Sequence, residues 1–364
     1  MINVTKTYLP PLEEYQAYLS GIWERVQLTN HGPLVMELEQ KLREHLGVKH
    51  IFFVSNGTSA LQIAIKALEL SGEVITTPFS YVATTSSLVW ENCQPVFVDI
   101  EPDTLCLNPA LIEAAITPAT TGILATHVYG NPCNAEFIAE IAAKHGLKVI
   151  YDAAHAFGIK YNGTSVLNYG DISTLSFHAT KLFHTGEGGA IVTNDDELAH
   201  RISYMRNFGH NGSEAFWGVG INGKNSELHA AMGLCVLPKV QQLIDDRKSV
   251  CGLYDALLAG LPLVRPVLRN RTEYNYAYHP VIFSSEEDLL QAKKFLNEIN
   301  VNPRRYFYPS LNTLPYVTPV DVSVSEDIAK RVLCLPLYHN LPHEDVIRIA
   351  QTIKSVFAYA GNGS

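Results

Sequence analysis

The chain has 364 residues, 47% of them hydrophobic and 17% charged, with a formal net charge of −9. That length exceeds one ordinary domain, and the balance suits a well-cored globular enzyme, not a disordered or fibrous chain. The acidic balance removes the basic face that non-specific nucleic-acid binding needs, so an anionic substrate must be met by local donors against the global field.

The first sixteen residues, MINVTKTYLPPLEEYQ, hold no apolar run of signal-peptide type, and no stretch approaches the roughly 20 apolar residues of a membrane span. The first clear helix follows Gly32-Pro33. Val35, Leu38, Leu42 and Leu46 fall on one face, Glu39 and Arg43 are placed to pair at i,i+4, and Gly47 stops it. A short apolar strand, His50-Ile51-Phe52-Phe53-Val54, runs into a turn and a helix over 59–70. Strand-like runs follow at 73–77, 95–100, 122–128, 147–152 and 173–177, with helical stretches near 82–91, 109–116 and 135–145 between them. Strands alternating with helices of this length predict an α/β fold whose mostly parallel central sheet is covered on both faces. A long helix over 226–248 is expected to join this part to a smaller α+β unit with Pro-marked turns and a last helix near 344–358. The expected division is a large α/β domain over 1–245 and a small domain over 246–364, ending in a frayed polar tail, Gly361-Asn362-Gly363-Ser364.

Six scattered cysteines without a CxxC pair predict reduced, mostly buried thiols and a cytoplasmic protein. Fourteen histidines show no paired ligand spacing, and no metal site is expected.

Ligands in open parallel sheets bind beyond the carboxyl ends of the strands, so the residues closing each strand come first. Val54-Ser55-Asn56-Gly57-Thr58-Ser59 is a strand–glycine–helix junction, which presents N–H groups and a hydroxyl to an anion or is simply a capping turn. Tyr81 follows the strand over 73–77 and can cover one face of a planar ring. Lys148-Val149-Ile150-Tyr151 runs into Asp152, a carboxylate at the ligand edge or an ordinary N-cap, with His155 three residues on. Ser173-Thr174-Leu175-Ser176-Phe177-His178-Ala179-Thr180-Lys181 precedes Gly186-Glu187-Gly188-Gly189-Ala190. A lysine past a strand end is ordinarily solvated, but here it sits between an apolar strand and a glycine-rich turn. Such a pocket depresses the ammonium pKa, and Schiff-base formation needs a neutral amine.

The order of these pieces resembles the fold-type I pyridoxal-phosphate (PLP) enzymes, specifically the sugar-nucleotide aminotransferases of the DegT/StrS type. The resemblance spans nearly the whole chain, through Gly32-Pro33, Ser55-Asn56-Gly57-Thr58, Asp152-Ala153-Ala154-His155, Ser176-Phe177-His178-Ala179-Thr180-Lys181, the GEGGA turn, Gly220-Ile221-Asn222-Gly223-Lys224-Asn225-Ser226-Glu227 and Leu335-Pro336-Leu337-Tyr338. It implies that Lys181 carries PLP as a Schiff base and that Asp152 keeps the pyridine nitrogen protonated, these two being catalytic. It implies that His155 contacts the ring's hydroxyl side and Tyr81 stacks on the ring. Thr58, the Gly57 turn and Ser176 would hold the phosphate, and Asn222 would reach it from the other subunit of a homodimer. Lys224 stands where the family commonly has Arg, and Gly223 where it has an aromatic or small residue, so the cross-dimer loop is expected to differ in shape.

The implied reaction transfers an amino group from glutamate to a nucleotide-linked keto-sugar. The sequence around Lys181, with His178, His184 and Glu187, and the loop around Asn222 look most like enzymes aminating C4 of dTDP-4-keto-6-deoxyglucose for O-antigen or a similar glycan. Amination at C3 and a UDP-linked sugar are the alternatives, and an idle regulatory protein on the same fold is the alternative of another class. A dehydratase variant of the family carries His in place of the lysine, and Lys181 argues against it. Gly218-Val219-Gly220-Ile221-Asn222-Gly223-Lys224-Asn225 nearly spells a phosphate-binding P-loop, but Asn225 replaces the required Ser or Thr and no apolar strand precedes it. Lys224, Arg304 and Arg305 are candidates for pyrophosphate contacts or plain surface charge, and the run Tyr306-Phe307-Tyr308-Pro309 either lines the sugar pocket or packs the small domain.

Overall fold

A computed structural model describes residues 1–360, and the polar tail expected to fray lies outside the described residues. Seven strands form the central sheet, in the order His50–Val54, Gly189–Thr193, Ile172–Ser176, Lys148–Asp152, Thr120–Thr126, Glu73–Thr76, Gln94–Phe97. All run parallel except Gly189–Thr193, which is antiparallel to both neighbours. Buried helices on the two faces explain the near-continuous apolar character of strands such as Val149, Ile150 and Tyr151. The mostly parallel α/β sheet predicted from the alternation is present.

Helix Pro33–Leu46 starts with Pro33 in the first turn and ends at Gly47, whose φ of 63° gives the left-handed cap. Leu38 and Leu42 are wholly buried in a cluster that includes Ala230, Ala231 and Leu234 of helix Glu227–Val236. Each such leucine contributes about 1.5–3 kcal/mol. Glu39 takes a different partner from the Arg43 expected at i,i+4. It accepts the Phe53 N–H at 2.7 Å and forms a short ion pair with Arg206, because the buried strand end beside it leaves an N–H to satisfy.

Two helices expected as single pieces are broken. The segment over 109–116 forms two 3₁₀ turns, Pro109–Leu111 and Glu113–Ala115, the first capped by the Asn108 side chain. The helix over 226–248 is two, Glu227–Val236 and Val240–Leu258, separated by a 3₁₀ turn over Leu237–Lys239. Pro238 lies in that turn and has no N–H to continue the ladder.

The C-terminal unit is a small antiparallel sheet, Leu263–Val264, His279–Phe283 and Val332–Leu335, with helices Glu286–Glu298 and His343–Ala360. Its core joins Phe283, Leu289, Leu296, Leu333, Ile349 and Ile353 to Val250 and Tyr254 of helix Val240–Leu258. The division expected at 245/246 falls inside that helix. The strand Ile2–Asn3 pairs with Val301–Asn302, so the first residues sit with the C-terminal unit. A separate core cluster holds Phe79 and Tyr129 together with Tyr278, Phe307 and Cys334, and the site described next lies beside it.

Candidate active site

A cavity of about 480 Å³ opens at the carboxyl ends of the strands. Gly57, Thr58, Tyr81, Asp152, His155, Ser176 and Lys181 all line it, while Asn222 does not.

The turn after Val54 is shaped for an anion. The Asn56 side chain caps helix Gly57–Ala67 by accepting the Ser59 N–H at 2.8 Å. The Gly57 and Thr58 N–H groups find no acceptor among the described residues. Ser176 closes the other side: a Cβ added at Gly57 would stand 3.0 Å from Ser176 Cβ and 3.4 Å from its Oγ. Strand Gly189–Thr193 passes beneath, and a Cβ at Gly189 would come within 2.5 Å of the Asn56 carbonyl carbon. Glycine is required at both positions by the close approach of backbone. The result is a helix N-terminus with free donors and a flanking hydroxyl, a cradle that a phosphate fits.

Asp152 ends its strand 6% exposed. Oδ2 accepts from Thr84 Oγ1 at 2.7 Å and Oδ1 from the Ala154 N–H at 3.1 Å. Thr84 Oγ1 shares a hydrogen bond with Ser80 Oγ at 2.7 Å, and Thr126 Oγ1 donates to Ser80 Oγ at 3.0 Å. Burial raises the Asp152 pKa, against the lowering effect of these donors and of the Lys181 charge. A buried carboxylate with donors on both oxygens is rigid, and a cation beside it completes the balance.

Lys181 reaches the cavity from a loop that its own backbone closes. Phe177 N–H donates to Gly188 O at 2.7 Å, Lys181 N–H to His178 O at 2.9 Å and Thr185 N–H to Phe177 O at 2.9 Å. Phe183, two residues on, packs at 4.6 Å from Phe157 and 4.8 Å from Phe177, which anchors the loop. Burial lowers the Lys181 ammonium to about 8, opposed by the Asp152 charge. A substantial neutral fraction therefore exists near neutral pH, as the sequence predicted. Lys181 Nζ donates to Tyr278 Oη at 3.5 Å.

His155 is 7% exposed, with its ring 4.5 Å from Tyr278 and 5.6 Å from Phe307. Burial, then the Lys181 charge, holds its pKa well below the ordinary range, so it is neutral. Its Nδ1 has no partner among the described residues, a buried polar atom awaiting one. Tyr81 is 52% exposed at the N-terminus of helix Val82–Trp90. The anion cradle, the buried carboxylate, the neutral amine and the orphaned His155 nitrogen together fit PLP, whose phosphate, ring nitrogen, aldehyde and hydroxyl need such groups.

Sequence reasoning missed Thr84, whose spacing four residues beyond Ser80 at a helix start is the available signal. It also missed Tyr278, in the tyrosine-rich Tyr274-Asn275-Tyr276-Ala277-Tyr278. Of the aromatic run, Tyr306 and Phe307 line the cavity, and so does Arg304. Asn222 lies outside on a loop, its Oδ1 accepting from Lys224 Nζ at 2.8 Å. His184 is buried and its Nε2 meets Tyr8 O at 2.7 Å, while His178 is 3.7 Å from Glu187.

The DegT/DnrJ/EryC1/StrS aminotransferase family model matches residues 12–354. The chain belongs to the DegT/DnrJ/EryC1/StrS aminotransferase family. Within it, the chain is 44% identical to a dTDP-4-amino-4,6-dideoxy-D-glucose transaminase of Shigella dysenteriae, over 98% of this chain and 99% of the relative. It is 41% identical to an Escherichia coli protein of the same name, over 97% and 98%. Among solved structures, DesI, analysed in the presence of its TDP-sugar product, superposes with a TM-score of 0.92 at 33% identity, covering 100% of this chain and 96% of that one. This aminotransferase family is PLP-dependent, in agreement with the groups that line the cavity.

Proposed function

We propose that this aminotransferase moves an amino group from glutamate to C4 of dTDP-4-keto-6-deoxyglucose, giving dTDP-4-amino-4,6-dideoxyglucose for O-antigen or a related glycan. The observation that carries the amino-transfer reading is Lys181, an amine lowered to about 8 in a cavity it shares with the buried carboxylate Asp152. The sugar follows from the names of the 44% and 41% identical relatives.

Bound PLP supplies an electron-withdrawing ring that eases removal of a proton from the carbon bearing the transferred nitrogen. Lys181 Nζ carries the cofactor covalently at rest. Once displaced by the incoming amine, Nζ takes the Cα proton of the donor and delivers it to the cofactor's carbon, and with the keto-sugar it moves the proton the other way. Asp152, fixed by Thr84 and the Ala154 N–H, holds a proton on the ring nitrogen. The Gly57–Thr58 turn and Ser176 bind the phosphate, His155 orients the hydroxyl side and Tyr81 covers one ring face. Asn222 serves the partner's site in a homodimer. In support, the loop around it exposes Phe216, Trp217 and Val219 by 63%, 56% and 86%, an apolar strip that a second copy would cover. Six free buried cysteines suit a reducing cytoplasm, and no helix among the described residues is long and apolar enough to cross a membrane.

Purified protein is to be assayed with glutamate and a panel of dTDP- and UDP-linked keto-sugars, with the product's amine located by NMR. Turnover of the dTDP 4-keto sugar to a C4 amine is expected, and Lys181→Ala should abolish it while leaving the fold intact. Amination at C3, a preference for UDP sugars or activity retained by Lys181→Ala would each overturn the corresponding part.

A further inference from the structure

Arg304 and Arg305 are chain neighbours in opposite states. Arg305 Nη2 donates to Glu286 Oε1 at 2.7 Å and to Lys330 O at 2.8 Å, and its guanidinium lies 3.6 Å from the Tyr308 ring centroid. That charge is consumed inside the C-terminal unit. The Arg304 backbone is just as firmly held, since Cys334 N–H donates to Arg304 O at 2.8 Å and Arg304 N–H to Cys334 O at 3.2 Å. Its guanidinium, however, makes no ion pair or hydrogen bond among the described residues. It lies 4.4 Å from the Tyr306 ring centroid and is the arginine that lines the cavity.

The path from that cation to the reacting amine is short. The Tyr306 ring is 5.6 Å from the Tyr278 ring, and Tyr278 Oη receives the Lys181 Nζ hydrogen bond. The Arg304 charge is also felt at Lys181, whose ammonium it helps to lower. Both substrates of the proposed reaction are anionic, but they place their charge differently. An amino acid carries its α-carboxylate one bond from the carbon whose nitrogen is transferred, whereas a nucleotide sugar's diphosphate is separated from C4 by the sugar ring. A cation this close to the amine matches the first. The planar guanidinium, held on an aromatic ring, keeps its fork of donors free for two parallel bonds to a carboxylate.

We propose that Arg304 is the anchor for the α-carboxylate of the amino donor. The assignment rests on the amino-transfer reading and names the residue that recognises the first substrate. It also separates the two arginines: Arg304 serves the reaction and Arg305 the fold.

The test uses PLP-loaded protein and reads the two halves separately. Maleate, an unreactive dicarboxylate, is titrated by calorimetry into wild type, Arg304→Gln and Arg304→Lys, and so is thymidine diphosphate. The glutamate half-reaction is followed by loss of the cofactor's visible absorbance, which also reports that each variant folds and loads. Arg304→Gln should weaken maleate binding and slow the glutamate half-reaction at low glutamate by about 10- to 100-fold, the loss of a charge-assisted bond. Arg304→Lys should recover part of this, and thymidine diphosphate affinity should stay at the wild-type value. Unchanged maleate binding, or a loss that falls on thymidine diphosphate instead, would overturn the assignment. If wild type loses no visible absorbance with any amino acid, the amino-transfer reading itself fails and the anchor with it.

Discussion

At the scale of single residues the site is governed by what burial does to charge. Lys181 is lowered from 10.5 to about 8, chiefly because water is withheld from the ammonium. In the unfolded chain the same amine titrates near its ordinary value, so between about 8 and 10.5 the unfolded state holds a proton that the folded state has released. Stability of the cofactor-free protein should therefore rise with pH across that window, and urea titrations at several pH values would show it. The same shift predicts chemistry. Reductive methylation of cofactor-free protein, read by peptide mass spectrometry, should reach half its limiting rate at Lys181 near pH 8, well before exposed lysines do. The Asp152 charge works in the opposite direction, holding the Lys181 pKa up. Asp152→Asn should accordingly move the Lys181 midpoint further down. A midpoint that stays put or rises would show that the two groups are not coupled as their shared cavity implies. Asp152 and Lys181 could be read from the chain because each ends an apolar strand or its loop. Thr84 could not, because its donor role depends on a helix returning over the sheet edge, where it meets Asp152 at 2.7 Å.

Among the elements, two motifs far apart in sequence explain one another. Gly32-Pro33 opens helix Pro33–Leu46 without a side-chain cap of its own. The wholly buried Glu227 supplies one, accepting the Leu34 N–H at 3.0 Å and the Val35 N–H at 2.9 Å. The two carboxylate oxygens thus satisfy donors that the first turn leaves orphaned and meet the positive end of the helix dipole. Gly32 is glycine because an added Cβ would stand 2.6 Å from the Glu227 carboxyl carbon. Glu227→Ala should cost about 2–4 kcal/mol in urea unfolding, since it strands two buried N–H groups and opens a hole. A loss within error of zero would mean that water replaces the carboxylate. Periodicity showed where the helix starts and stops but not what caps it, because a cap borrowed from 193 residues away leaves no local trace. The same limit applies to Glu39, whose i,i+4 spacing to Arg43 is real but yields to a buried strand N–H and to Arg206. The break at Pro238, by contrast, is written in the sequence, in a residue that cannot donate.

For the whole molecule, the large sheet was legible because each strand–helix pair is local, and the parallel order follows from the crossovers. The C-terminal contribution to the site was not. Tyr278, Arg304, Tyr306 and Phe307 come from beyond the long helices and reach the cavity only through tertiary packing. Asn222 poses the remaining question, since it lies outside the cavity of its own chain while its loop exposes apolar surface. The proposed homodimer resolves this if the loop crosses to the partner, and symmetry makes the idea testable without a structure of the assembly. Lys181→Ala and Asn222→Ala should each be impaired alone. When the two variants are unfolded, mixed and refolded together, a hybrid dimer has one site that lacks both groups and one that keeps both. Half of the dimers are hybrids at random mixing, so recovery of about a quarter of wild-type turnover is expected for a closed two-fold assembly. If Asn222 instead served its own chain, each site in the hybrid would still lack one group and no activity would return. Sedimentation of the mixture, together with Trp217→Asp, separates failure to assemble from failure to share. The substitution places a charge in the exposed strip and should release monomers with no recovered activity.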